Sequence, residues 1–271
     1  MAKKIGLCLT GGGAKGAYQI GVVQALEDLG KYKDIDAYSG TSIGAANVSV
    51  LASTSIAQTR DIWFNMPKDA LCVPKPLLKR IKTEKLKTFE NGIYTMDTFE
   101  RVMMQHIDYE TLKDKEVYIT ISESGEESKG ILQLFSSTYK HYIKKDSKVH
   151  YLPLQNLDQE TCLEVVKASC SIPVVFPAVV KDNKKYYDGG LFDNMPVLPL
   201  IETGCTEIYV VVISFLKQQV NIKKKYPNVK FHILKPSKSL GKILDFGEKH
   251  SKRIYEMGYT DTIAYYKKLE K

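Results

Sequence analysis

Twice before residue 55 of this chain, an apolar stretch runs into a glycine-rich turn and emerges as a helix. Lys4 to Thr10 has the apolar character of a strand, and Gly11-Gly12-Gly13-Ala14-Lys15-Gly16 breaks it. Ile20, Val23, Leu26 and Leu29 then recur at helical spacing, and Gly30 supplies a stop. Ile35 to Ser39 reads as a second strand, Gly40-Thr41-Ser42-Ile43-Gly44 interrupts it, and an alanine-rich helix follows to about Ala52. Two strand–turn–helix units in succession call for parallel strands, because each helix must carry the chain back across the sheet. The expected fold is α/β: three layers, α/β/α, around a mainly parallel central sheet.

Further along, Trp63 to Asn91 carries Pro67, Pro74 and Pro76 and mixes Leu77, Leu78 and Ile81 with basic residues. A loop or cap-like insertion is expected over about 67–95. Met96 to Ile107 predicts a helix, and Glu116–Ser122 and Gly130–Ser136 predict adjacent strands joined around Gly125. Asp158 to Cys170 reads as a helix that Pro173 ends. A short strand, Lys185 to Tyr187, leads into Asp188-Gly189-Gly190, and Val197 to Glu202 is helical. Glu207–Phe215 and Lys230–Leu234 predict strands, and Ser239–Leu269 a long basic helix. No composition break marks a boundary, so residues 1–271 are read as one domain. Its motif-bearing core spans about 5–200 and a basic C-terminal extension about 217–271.

The longest apolar run, Ile208 to Leu216, is far shorter than the ~20 residues of a membrane span. Met1-Ala2-Lys3-Lys4 is not followed by the apolar core of a signal peptide. Cys8, Cys72, Cys162, Cys170 and Cys205 are odd in number and form no CxxC. They read as reduced thiols, and a cytoplasmic location is expected. Of the net charge of +8, residues 217–271 hold fourteen Lys/Arg against five Asp/Glu, and Lys75–Lys87 holds six against one. Such basic regions suit an anionic surface, either nucleic acid or the inner face of a membrane, or form an ordinary solvated exterior.

Three motifs carry chemistry. Glycines at 11–13 free backbone N–H groups to converge at the positive end of a helix, a nest for a phosphate or an oxyanion. A P-loop fails because Gly16, not Ser or Thr, follows Lys15, and a dinucleotide site fails because Asp36 stands at the wrong end of its strand. Gly40-x-Ser42-x-Gly44 lies between a strand and a helix, the context in which a tight turn exposes a nucleophilic serine. Asp188 follows a strand and precedes two glycines, so it can serve as the base. Read alone, the Asp-Gly pair is an ordinary hairpin turn. His106, His141, His150, His232 and His250 show no comparable setting.

Taken in order, Gly11-Gly12-Gly13-x-Lys15-Gly16, Gly40-x-Ser42-x-Gly44 and Asp188-Gly189-Gly190 resemble the patatin-like phospholipase family. Ala168-Ser169-Cys170-Ser171-Ile172-Pro173 and Asn194-Met195-Pro196 add to the likeness, which covers roughly residues 5 to 200. The resemblance implies a Ser42–Asp188 dyad without histidine and an oxyanion hole from Gly11, Gly12 and Gly13. Lys15 stands where the family carries Arg or Lys and is read as structural or charge-balancing. Gly16, Gly40, Gly44, Gly189, Gly190 and Asn194 support the motifs. The implied reaction is hydrolysis of lipid acyl esters through an acyl-Ser42 intermediate, without metal or cofactor. The expected partner is a lipid substrate at a membrane surface, with attraction to anionic lipid, and nucleic acid is not expected. Two alternatives stay open: an acyltransferase with the same dyad, and a non-catalytic protein that binds phosphate or nucleic acid.

Overall fold

The computed structural model describes residues 3–66, 97–124, 148–173, 175–182, 184–214 and 221–270. In chain order the elements are β1 (Ile5–Leu9), α1 (Ala17–Asp28), β2 (Ala37–Thr41), α2 (Ile43–Ser53), α3 (Ile56–Phe64), α4 (Asp97–His106), α5 (Tyr109–Leu112), β3 (Glu116–Ser124), β4 (Lys148–Pro153), α6 (Gln159–Ser169), β5 (Val179–Lys181), β6 (Lys184–Asp188), α7 (Leu198–Glu202), β7 (Glu207–Val211), α8 (Ile222–Lys225), β8 (Lys230–Leu234) and α9 (Glu248–Leu269). The expected cap at 67–95, the strand at Gly130–Ser136, Cys72 and His141 lie outside the described residues.

The strands form one sheet in the order β5-β6-β3-β2-β1-β7-β8, with β4 also paired to β3. The run from β3 through β2, β1 and β7 to β8 is parallel, while β4, β5 and β6 pair antiparallel. Side chains alternate across it, as strand geometry requires. Ile5, Leu7, Leu9, Tyr209 and Val211 enter a core beneath α1, α2, α6 and α9. Cys8, Ile208 and Val210 enter a smaller core on the other face, covered by Leu200 of α7 and Ile222 of α8. This is the three-layer α/β/α arrangement that the sequence predicts.

The basic C-terminal segment belongs to this core. α9 crosses α1 so closely that a Cβ on Gly21 would lie 1.9 Å from the Tyr255 carbonyl oxygen, and one on Gly258 would lie 2.1 Å from that of Tyr18. Glycine at both positions lets the two backbones touch. α9 starts at Glu248 rather than Ser239, because Gly241 takes a left-handed φ of 90° and the chain from 240 to 247 folds back instead of winding. There the Ile243 carbonyl accepts a hydrogen bond from Ala14 N–H at 2.8 Å, next to the first glycine turn. β7 is likewise shorter than expected, since Ile213 N–H turns aside to Thr10 Oγ1 at 3.1 Å. α3 went unpredicted although Ser55 and Gln58 form a capping box ahead of it.

One pairing detail positions the site. β4 occupies one edge of β3 from Tyr118 to Glu123. On the opposite edge β2 runs up to Thr41, opposite Thr120, and β6 comes down from the other direction to Asp188, opposite Ile121. The ends of β2 and β6 therefore meet head-on at adjacent residues of β3, and this brings the turn after Thr41 to Asp188.

Candidate active site

Ser42 is the single residue between β2 and α2. It takes φ 57° and ψ −130°, a conformation that costs a non-glycine residue roughly 1–3 kcal/mol. The turn is tight on both flanks: a Cβ on Gly40 would lie 2.4 Å from the Gly44 carbonyl oxygen, and one on Gly44 would lie 2.1 Å from that of Leu9. Only glycine fits at either position. The turn is also held by hydrogen bonds. Ser42 N–H donates to Ser169 Oγ at 2.9 Å, and that hydroxyl donates to the Thr120 carbonyl at 2.7 Å. Thr41 Oγ1 donates to the Asp193 carbonyl at 3.0 Å. The N-terminus of α2 starts directly after Ser42, and its positive dipole end favours negative charge there.

Asp188 closes β6 and is buried beside Ser42. Its backbone N–H donates to the Ser171 carbonyl at 3.0 Å, and its Oδ1 accepts from Gly190 N–H at 2.7 Å. Burial raises its pKa from the ordinary aspartate value to about 6, against the lowering effect of hydrogen bonds from Ser42 and Gly190. A carboxylate of that basicity titrates close to neutral pH while retaining a hydrogen-bond link to the serine.

The first glycine turn faces the same space. Gly11 N–H donates to Asn194 Oδ1 at 3.0 Å, and Asn194 Nδ2 donates back to the Gly11 carbonyl at 3.3 Å and to Ser214 Oγ at 3.1 Å. Gly11 is thus engaged, whereas the N–H groups of Gly12 and Gly13 take no partner among the described residues. The ends of this turn are clamped from behind. Gln19 Nε2 donates to the Thr10 carbonyl at 2.7 Å, and Asn47 Nδ2 donates to the Gly16 carbonyl at 3.1 Å. Trp63 Nε1 donates to Asn47 Oδ1 at 2.9 Å, which ties α3 to the same network.

Gly11, Gly12, Gly13, Ser42, Asp188, Gly190 and Asn194 line one cavity of about 320 Å³ together with Ile172, Pro173, Leu191, Ser214 and Ile243. Lys15 lies outside it and lines a smaller neighbouring cavity. Gly189 backs Asp188 against Thr120. Sequence reasoning gave no role to Ser169, Ser214 or Ile243. Ser169 sits in a small-residue segment that the sequence did single out. Ser214 and Ile243 belong to the C-terminal third, where no motif marks them.

No described histidine lines this cavity. His106 Nδ1 pairs with the Val102 carbonyl at 2.8 Å, His150 with Glu123 at 2.9 Å, and His250 lies 3.6 Å from Asp245. His232 is buried between Glu207 at 2.9 Å and the Tyr265 hydroxyl at 3.1 Å, and desolvation lowers its pKa. Its neighbour Glu207 begins β7, at the opposite end of the strand from the cavity. His232→Ala is therefore expected to lower thermal stability by about 1–3 kcal/mol and to leave any turnover that depends on Ser42 within about threefold of wild type. Paired melting curves and turnover assays check this. A collapse of turnover in the folded variant would return histidine to the chemistry.

Comparison with known proteins bears on the family and the fold. A family model described as patatin-like phospholipase matches residues 7–201. The chain is 28% identical over 229 residues to lysophospholipase NTE1 of Candida glabrata, covering 81% of this chain and 11% of that protein. It is 27% identical over 220 residues to lysophospholipase NTE1 of Saccharomyces cerevisiae, covering 78% and 11%. The chain thus spans about a tenth of the length of these curated relatives. Among solved structures, VipD from Legionella pneumophila superposes with a TM-score of 0.53 at 15% identity, covering 98% of this chain and 67% of that one, a likeness of fold.

Proposed function

The chain belongs to the patatin-like phospholipase family, and from that premise we propose that it hydrolyses fatty-acyl esters of lysophospholipids or phospholipids with Ser42 as nucleophile and Asp188 as general base. The observation that carries this reading is the strained Ser42 turn facing a buried carboxylate in one cavity with two backbone N–H groups that take no partner among the described residues. Asp188 takes the hydroxyl proton as Ser42 Oγ attacks the ester carbonyl. The oxyanion receives the N–H groups of Gly12 and Gly13, each worth roughly 3 kcal/mol to a transition state, while Gly11 keeps the loop in shape through Asn194. Collapse expels the lipid alcohol, which regains the proton from Asp188, and leaves acyl-Ser42. Water, deprotonated by Asp188, then attacks acyl-Ser42, and Asp188 hands that proton to Ser42 Oγ as the fatty acid leaves.

The names of the two fungal relatives favour a lysophospholipid as substrate. Action at a membrane surface is supported by Ile243 and Leu244, 46% and 39% exposed, since Ile243 also lines the cavity. Among the described residues no helix is long and apolar enough to cross a membrane. Cys8, Cys162, Cys170 and Cys205 are buried free thiols, which suits a cytoplasmic enzyme working peripherally at the inner membrane face. Reaction with an alkyl fluorophosphonate followed by peptide mapping tests the nucleophile. One adduct on the peptide holding Ser42 is expected, and an adduct elsewhere, or none on the folded protein, would overturn the reading.

A further inference from the structure

Beside the catalytic cavity lies a second one of about 80 Å³, walled by Val212, Ile213, Pro236 and Leu240 and carrying Lys15, Lys235, Lys238, Ser214 and Ser239 at its polar side. A cavity of that size holds several waters and has room for one small anionic group. Three lysines line it and no acidic residue does. Other lysines are matched: Lys3 lies 3.0 Å from Glu207, Lys184 3.0 Å from Glu123, and Lys252 2.6 Å from Glu248. Lys15, Lys235 and Lys238 have no such partner among the described residues. Asp261, which reaches the same segment, is taken up by Ser237 N–H at 2.9 Å and the Tyr18 hydroxyl at 3.2 Å.

The two cavities share a wall. Ser214 lines both, and its hydroxyl accepts from Asn194, which also binds Gly11. Ile213 of the small cavity packs directly on Gly12, where an added Cβ would lie 2.8 Å from its side chain. In a glycerol-based lysolipid the ester carbonyl and the phosphate are separated only by the glycerol carbons, so neighbouring cavities suit the two groups. We propose that the lysine-lined cavity is the subsite for the phosphate of the substrate's head group, held by the ammonium groups of Lys15, Lys235 and Lys238 and the hydroxyl of Ser239. This rests on the hydrolase reading of Ser42 and adds to it the place where the head-group phosphate is held.

The test compares a short-chain lysophosphatidic acid with the monoacylglycerol of the same chain, both kept monomeric, on wild type, Lys235→Ala/Lys238→Ala and Lys235→Arg/Lys238→Arg. Lys235 and Lys238 are exposed, so both variants keep the fold. In the alanine variant kcat/KM for the phosphorylated ester is expected to fall at least about tenfold, through KM, since each lost contact is charge-assisted. Turnover of the monoacylglycerol stays within twofold, and the arginine variant keeps most of the preference. Equal losses on both esters, or no loss on either, would overturn the proposal. Calorimetry with glycerol 3-phosphate, inorganic phosphate and glycerol reads the site even if no ester is turned over. Glycerol 3-phosphate is expected to bind wild type and to bind the alanine variant at least about tenfold more weakly, with no binding of glycerol. Inorganic phosphate that binds without competing against the phosphorylated ester would mark a free-anion site and overturn the head-group assignment. Absence of turnover with wild type, alongside intact glycerol 3-phosphate binding, would strike the hydrolase reading and spare the subsite.

Discussion

Asp188→Asn is expected to abolish ester hydrolysis while raising the stability of the fold. The loss follows from removing the base, an effect of roughly 10²–10⁴-fold on turnover. The gain follows from burial. The folded protein holds the Asp188 pKa at about 6, against about 3.9 for a free aspartate. Below about pH 4 the carboxyl is protonated in both the folded and the unfolded chain and burial of a charge costs nothing. Between about pH 4 and 6 the native state binds more protons, so stability falls as the pH rises. Above about pH 6 the full penalty applies, about 2–3 kcal/mol at 1.36 kcal/mol per pKa unit. Asparagine is neutral at every pH. The variant should therefore melt higher than wild type at pH 7, and the gap should close on acidification toward pH 4. Melting curves at the two pH values check this, and a variant less stable than wild type at pH 7 would contradict the cause assigned to the pKa. The same titration gives wild-type kcat/KM an acid limb near pH 6, because protonated Asp188 cannot accept the serine proton.

The second large effect concerns the backbone at Ser42. Ser42→Ala and Ser42→Gly should both be inactive, since each lacks the nucleophile, yet their stabilities should differ in an unusual direction. Glycine ordinarily weakens a fold relative to alanine by roughly 0.5–1 kcal/mol. At φ 57° and ψ −130° alanine retains a strain of roughly 1–3 kcal/mol that glycine does not feel. The glycine variant is thus expected to be the more stable of the two by about 0.5–2 kcal/mol in denaturant unfolding. Greater stability for the alanine variant would show that the turn is relaxed. Together the two predictions describe a site that weakens its own fold twice, by a strained serine and by a buried charge.

Much of this was legible in the sequence. The turn at Ser42 was readable because its glycines sit between a strand and a helix, and local chemistry alone demands them there. β1, α1 and α2 followed from periodicity in the same way. The partnership with Asp188 was not readable locally, because it depends on β6 and β2 meeting on one edge of β3. That geometry is set by short antiparallel strands whose polar residues, Lys184 and Lys185 among them, give no apolar alternation. The resemblance to a family bridged the gap by the order of three motifs. It did not reveal that Asn194 engages Gly11 N–H, nor that Ser169 holds Ser42 in place. The long helix expected from Ser239 also failed for a local reason. Its later part is helical in composition, but Gly241 takes a left-handed φ of 90° and Gly247 caps the helix, which begins at Glu248. The loop left behind supplies Ile243 to one cavity and Ser239 and Leu240 to the other.

Ser42 is the proposed nucleophile of lipid ester hydrolysis, and every step of the mechanism passes through it. The most direct measurement is fatty-acid release from lysophosphatidylcholine and from mixed phosphatidylcholine–phosphatidylglycerol vesicles, with wild type and folded Ser42→Ala assayed side by side. Wild type is expected to release fatty acid, and Ser42→Ala none above background. Equal release by the two proteins, or none by wild type on either lipid, would contradict this role of Ser42.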